Sequence, residues 1–239
     1  MNTHPADQLT TLAQQGDARV ERVEVDGQAY WIKRQEILSW RMRMQKGDAT
    51  KAFEAERAAY HVLAKAQLPV PGIVVEGARF FVTPDCGRPV SEILRFQELD
   101  TDTRLEVFSH VGEALWAFHK AGFSHGRPSL KDMCWDGARV RFIDFERYNA
   151  KRNTKKGHAE DLVMCVFNAF YVAGKPCAEI DELIARYREY APDEIWQGAQ
   201  AWCRKRAWIN WATKPIQMRR PGKAKEFKAI PLTLQAFLG

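Results

Sequence analysis

Residue types able to do chemistry concentrate between His125 and Glu146, a stretch reading His-Gly-Arg-Pro-Ser-Leu-Lys-Asp-Met-Cys-Trp-Asp-Gly-Ala-Arg-Val-Arg-Phe-Ile-Asp-Phe-Glu. Asp136-Gly137 between two apolar runs is a hairpin signal, because glycine tolerates the positive φ of a tight primed turn. The pattern predicts a polar loop, a short strand, the turn, and a second strand from Val140 to Ile143 that delivers Asp144 at its end. Asp132 then stands at the entrance of the hairpin and Asp144 at its exit. Two acids brought together this way suit a divalent metal, and a divalent metal suits phosphate chemistry. Taken singly, Asp144 also reads as a strand-end turn residue, Asp132 as a cap, and His125 as a brace for the loop.

The elements that must position these residues follow from periodicity. Val20 to Val25 and Gln28 to Lys33 flank Asp26-Gly27 and read as an antiparallel hairpin with Lys33 closing its second strand. The basic connection 36–47 is open between loop and short helix. Asp48-Ala49-Thr50 offers caps for a helix to about Ala66, carrying Glu54 and Glu56 in its first half, and Pro69-Val70-Pro71-Gly72 stops it. Strands Ile73 to Glu76 and Arg79 to Thr83 follow, so the first 84 residues predict strand, strand, helix, strand, strand. Pro84 to Pro89 is a turn-rich connector. Beyond it a helix from Asp100-Thr101 to Ala121, a buried helix from His158 to Val172 and an amphipathic helix from Ala178 to Tyr190 make the remainder mainly helical.

Composition narrows the classes. The 239 residues are 46% hydrophobic, enough for one large domain or two small ones. The first 15 residues lack an apolar h-region, and no run of about 20 uncharged apolar residues occurs. The expectation is a cytoplasmic protein with neither signal peptide nor membrane span. Five cysteines, Cys86, Cys134, Cys165, Cys177 and Cys203, without a C-x-x-C pair, read as reduced thiols rather than disulfides or a zinc site. The net charge is +6. It is uneven: Arg204, Lys205, Arg206, Lys214, Arg219, Arg220, Lys223, Lys225 and Lys228 face one acid, Glu226, in the span 201–228.

In this order and spacing, Tyr-Trp-Ile-Lys33, the helix Phe-Glu-Ala-Glu-Arg-Ala-Ala-Tyr-His-Val-Leu, His125-Gly126 and Ile143-Asp144-Phe145-Glu146 resemble a compact protein kinase. The nearest branch in kind is the lipopolysaccharide-core heptose and Kdo kinases, related to the RIO-type atypical kinases. The resemblance covers roughly Gly16 to Val172. It implies an α+β, two-lobed protein-kinase-like fold: an N-lobe over 1–84 of antiparallel sheet with one main helix, a hinge at 85–90, and a helical C-lobe over 91–239. It implies ATP and Mg²⁺ as cofactors. Lys33 would hold the α and β phosphates, Glu56 rather than Glu54 would pair with Lys33 by its register with Leu63, and Asp144 would bind Mg²⁺. Asp161 resembles the acid that fixes the catalytic-loop backbone, and reads equally as an acid favoured at a helix N-terminus.

The departures are specific. No G-x-G-x-x-G precedes Lys33, so the phosphates would be covered by a shorter turn near Gly16-Asp17. Arg127 stands where the catalytic Asp belongs, and arginine, with a pKa above about 12, is no base at neutral pH. Asp132 stands where a metal-binding Asn belongs. Three readings stay open: transfer with Asp132 as ligand or proton acceptor and Arg127 steadying phosphate oxygens, nucleotide binding without transfer, or a scaffold. The expected acceptor is a lipopolysaccharide-core sugar or related envelope glycolipid at the inner face of the inner membrane. The tail, with Trp196, Trp202, Trp208 and Trp211 among its cations, fits an anionic membrane surface, a nucleic acid, or packing of the helical lobe.

Overall fold

The computed structural model describes residues 4–36, 49–220 and 222–239. The basic connection and the Asp48 cap lie outside the described residues. The chain divides into two compact units, 1–86 with 144–146, and 87–143 with 147–239.

The first unit is a four-stranded antiparallel sheet in the order β1 (Val20–Val25), β2 (Gln28–Arg34), β4 (Phe80–Pro84), β3 (Val75–Gly77). Asp26 and Gly27 both take positive φ, 52° and 74°, which closes the β1–β2 turn as the dipeptide predicts. Because side chains alternate along a strand, β2 sends Tyr30, Ile32 and Arg34 to one face and Lys33 to the other. On the first face Val25, Ile32, Phe80 and Val82 pack with Leu9 and Ala13 of a helix, α1 (Pro5–Gln15). On the other, Phe81 meets Phe53 and Tyr60 of helix α2 (Ala49–Lys65) at ring distances of 5.5 and 5.3 Å.

Helix α1 corrects the sequence expectation, which left the first 15 residues without structure. Its anchor is Arg34, 7% exposed. The guanidinium donates to the carbonyls of Leu12, Ala13 and Ala18 at 2.8 Å each and pairs with Glu21 at 2.8 Å. A strand-end arginine thus gathers carbonyls at and just beyond the helix C-terminus, where the Leu12 oxygen also accepts from the Gly16 amide at 3.2 Å. The Arg34 contact is non-local, but Leu9 and Ala13, four apart on one face, are a local amphipathic signal that the sequence expectation did not use.

The second unit combines a three-stranded antiparallel sheet, β5 (Arg88–Pro89), β6 (Met133–Trp135) and β7 (Val140–Phe142), with helices α3 (Val90–Phe96), α4 (Thr101–Lys120), α5 (Lys155–Ala173), α6 (Ala178–Tyr190), α7 (Asp193–Arg206), α8 (Trp208–Ala212), α9 (Lys214–Gln217) and α10 (Lys225–Leu238). Asp100 caps α4 by accepting from the Thr103 amide at 2.9 Å. Helices α4 and α6 approach so closely at Gly112 that a Cβ there would lie 2.7 Å from the Leu183 carbonyl oxygen. The β6–β7 connection is the hairpin that the Asp136-Gly137 pair predicts: Gly137 takes a φ of 98° and the Asp136 amide donates to the Arg139 carbonyl at 3.3 Å, just inside the Trp135–Val140 pair. The Asp136 carboxylate also accepts from the amides of Ala138 and Arg139 at 3.0 Å each, so the side chain reinforces the turn. All five cysteines are free thiols. Among the described residues no helix is long and apolar enough to cross a membrane.

Candidate active site

The first unit gathers Lys33, Glu56, Asp144 and Glu146. Helix α2 buries Phe53, Glu56, Tyr60 and Leu63, residues three and four apart on one stripe. A carboxylate in such a stripe needs a partner, and Glu56, with its side chain 1% exposed, lies 2.6 Å from the Lys33 ammonium. Glu54 is off the stripe and pairs instead with Arg57 at 2.5 Å. Burial, outweighing the attraction of Lys33 and reinforced by the charges of Asp144 and Glu146, holds the Glu56 carboxyl above the ordinary range.

Asp144 has φ of 63°, in the left-handed region that non-glycine residues adopt at a cost. Two contacts hold it there. Its amide donates to the Tyr60 hydroxyl at 3.2 Å, and the next residue, Phe145, is 1% exposed with its ring edge-on to Tyr60 at 4.9 Å. Burial, together with the nearby Glu56 charge, pushes the Tyr60 phenol well above its ordinary pKa, so it stays a neutral hydroxyl. Glu146 accepts a hydrogen bond from Arg19 and lies 3.6 Å from the Lys33 ammonium. Arg19 immediately precedes β1. Neither Arg19 nor Tyr60 was expected from the sequence. The spacing of Tyr60 four residues after Glu56 is the signal for it, whereas the reach of Arg19 to Glu146 across 127 residues leaves none.

In the second unit the loop from His125 to Asp132 is fixed from beneath. Asp161 is fully buried and accepts from the amides of His125 and Gly126 at 2.5 and 3.1 Å. It lies in the second turn of α5, which starts at Lys155, so the loop-fixing reading describes its contacts and the helix-terminus reading does not. Two turns further along, Asn168 accepts from the Leu130 amide at 2.8 Å, a contact the 161/168 spacing could have signalled. Gly126 has φ of 98°, and a Cβ there would lie 2.3 Å from the Arg147 carbonyl oxygen. His125 Nε2 is 3.3 Å from the Ile143 carbonyl oxygen, a bracing position. Asp132 is 4% exposed, with Oδ1 2.9 Å from the Lys131 ammonium. Arg127 is exposed. Below the loop, His119 stacks on His158 at 4.5 Å, with its Nε2 3.7 Å from Asp161 and its Nδ1 2.5 Å from the Tyr187 hydroxyl. Burial lowers both imidazoles, His158 to about 4, so both are neutral near pH 7.

Among the described residues no group of three or more His, Cys, Asp or Glu could cage a metal. Mg²⁺ in phosphate sites needs no such cage, since one or two carboxylates share it with phosphate oxygens and water. Asp144, partly exposed and beside Lys33's cluster, fits that donor set.

No family model matches the chain. An uncharacterized protein of Haemophilus influenzae is 24% identical over 201 residues, which is 84% of this chain and 83% of the relative. Among solved structures, similarity extends to a divergent kinase that lacks the glycine-rich loop and regulates membrane ultrastructure of the Toxoplasma parasitophorous vacuole. The TM-score is 0.50 and the identity 15%, over 83% of this chain and 85% of that one.

The fold is kinase-like.

Within that fold Lys33 lies on β2, Glu56 on α2, and Asp144-Phe145-Glu146 just after β7.

Proposed function

We propose that this protein is a divergent phosphotransferase that uses ATP and Mg²⁺. The observation that carries the reading is the buried Lys33–Glu56 ion pair, 2.6 Å long, in one cluster with an Asp144 held in a strained left-handed conformation. Such strain persists where the surroundings over-determine it, and it gathers at functional positions. Lys33, oriented by Glu56, binds α- and β-phosphate oxygens. Asp144 supplies the carboxylate for the metal, with Arg19 beside the turn that replaces the glycine-rich loop. Bound Mg²⁺ would neutralise charge on the β- and γ-phosphate oxygens. The similar solved kinase also lacks that loop. By the resemblance to lipopolysaccharide-core kinases, Asp132 takes the second ligand or proton-acceptor role, His125 braces the loop, Arg127 steadies phosphate oxygens, and the acceptor is a core sugar or related envelope glycolipid. The exposed cations of the tail favour work as a peripheral protein on an anionic inner-membrane face.

Arg127 supports a second reading, a pseudokinase that binds nucleotide without transferring phosphate. One experiment separates the two. Thermal unfolding is followed with ATP and Mg²⁺ at millimolar concentration, alongside release of ADP with a lipopolysaccharide-core acceptor. The expected outcome is a rise in Tm that Asp144→Asn removes, together with acceptor-dependent ADP. A Tm rise without ADP leaves the pseudokinase, and no rise in Tm defeats both.

A further inference from the structure

Helices α5, α7, α8 and α10 of the second unit enclose a cleft of about 230 Å³ whose lining is almost wholly apolar. Phe167, Trp202, Ile209, Ile230 and Leu234 line it, and several of these are only partly buried, so it opens at the surface. At about 30 Å³ per water-sized group, it has room for roughly eight such groups in a row or cluster. Among the described residues one charged side chain reaches its lining, Arg206. That guanidinium lies over the Trp202 ring at 3.9 Å, so ring and cation are held as a unit at the cleft.

The surrounding chain gives the cleft a chemical context. Within 204–223, Arg204, Lys205, Lys214, Arg219, Arg220 and Lys223 are exposed. Trp208 is 66% exposed, Trp211 84% and Met218 79%. By contrast Trp196 is spent on packing, 4.7 Å from Phe237 and beneath Arg188. Large apolar side chains left in solvent beside cations, next to an apolar cleft, match an interface that is apolar inside and anionic outside. A nucleic acid would account for the cations and exposed rings but has nothing to place in an apolar cleft.

We propose that this cleft takes the end of one acyl chain of an anionic membrane lipid, with Arg206 beside the headgroup and Trp208 and Trp211 in the interfacial layer. The inference deepens the membrane part of the proposed function and is independent of its nucleotide part, since every residue invoked belongs to 147–239.

The test uses the full chain. Octyl phosphate, an isolated chain with an anionic head, is titrated by calorimetry, and sedimentation is measured with phosphatidylcholine vesicles with and without phosphatidylglycerol. Saturable one-site binding of octyl phosphate is expected, weakened about tenfold or more when Leu234→Trp fills the cleft. Sedimentation should require phosphatidylglycerol and fall in the same variant. Ile230→Phe fills the cleft from a second position, and the Tm of each variant checks its folding. No octyl phosphate binding overturns the proposal. So does binding that both folded variants retain, which would mean surface adsorption only, and so does steeply salt-dependent binding of single-stranded RNA without any response to octyl phosphate. The ATP-dependent rise in Tm reports separately on the nucleotide reading.

Discussion

Glu56 illustrates how one carboxylate can be paired and still carry a cost. Its pKa is raised because burial and two neighbouring acids outweigh Lys33. A raised carboxyl pKa means the folded state holds its proton to higher pH than the unfolded chain does. The contribution to stability is therefore full below the unfolded value of about 4.3 and is lost as pH rises through the folded value. Glu56→Gln has no such titration. The difference in Tm between Glu56→Gln and the wild type should shift in favour of the variant as pH is raised from about 4 toward 7, and a flat or opposite trend would show that Lys33 dominates. The pairing itself was legible: Glu56 shares its stripe with Leu63, and the register that selects Glu56 over Glu54 is local. The hydrogen bond from Arg19 to Glu146 was not, because it joins residues 127 apart.

At the scale of elements, β2 does two jobs by alternation. Lys33 faces α2, and Arg34, the next residue, faces α1 and ties down three carbonyls. Removing this buried donor takes one partner from each of these carbonyls, of which Leu12 keeps the Gly16 amide. Arg34→Ala should cost about 3 kcal/mol in urea-induced unfolding, while Arg34→Lys, with one ammonium in place of a fork, should recover only part of it. A loss within about 0.5 kcal/mol, the range of ordinary surface changes, would mean that α1 holds without its anchor. The sequence pattern made β1, β2, α2, α4 and α5 readable because each has its own periodicity or turn dipeptide. The amphipathic spacing of Leu9 and Ala13 in α1 went unused, and the anchoring contact from Arg34 lies 21 and 22 residues downstream of the helix carbonyls it binds. The Asp136-Gly137 pair likewise made the β6–β7 turn readable, with Gly137 at a positive φ of 98°.

For the whole molecule, the two units carry opposite responses to pH. In the second, His119 and His158 are held neutral by burial, with His158 at about 4. A depressed histidine pKa means that the unfolded chain takes up the proton first. Stability is lost as pH falls from the ordinary histidine value of about 6.5 toward 4. Acid should therefore loosen the unit that contains the His125–Asp132 loop, while the Glu56 contribution moves the other way. Amide exchange followed from pH 6.5 to 4.5 should show faster opening of α4 and α5, and His158→Gln should blunt that acceleration. Equal acceleration in the variant would remove the histidine pair as its cause. The basic, Trp-rich tail was visible in the sequence as composition only. Which tryptophans pack and which face solvent depends on the bundle that α7 to α10 build, and no local pattern encodes it.

The adjacency of Lys33 and Arg34 makes the first helix part of the foundation of the Lys33–Glu56 ion pair. One peptide bond separates the residue proposed to touch nucleotide from the residue that clasps the first helix. A proteolytic nick, a fused partner or a modification within the opening fifteen residues never meets the chemistry directly, yet it is transmitted along a single strand position. The clasp on the first helix and the lysine paired with Glu56 therefore share one strand, and a shift in either moves the other.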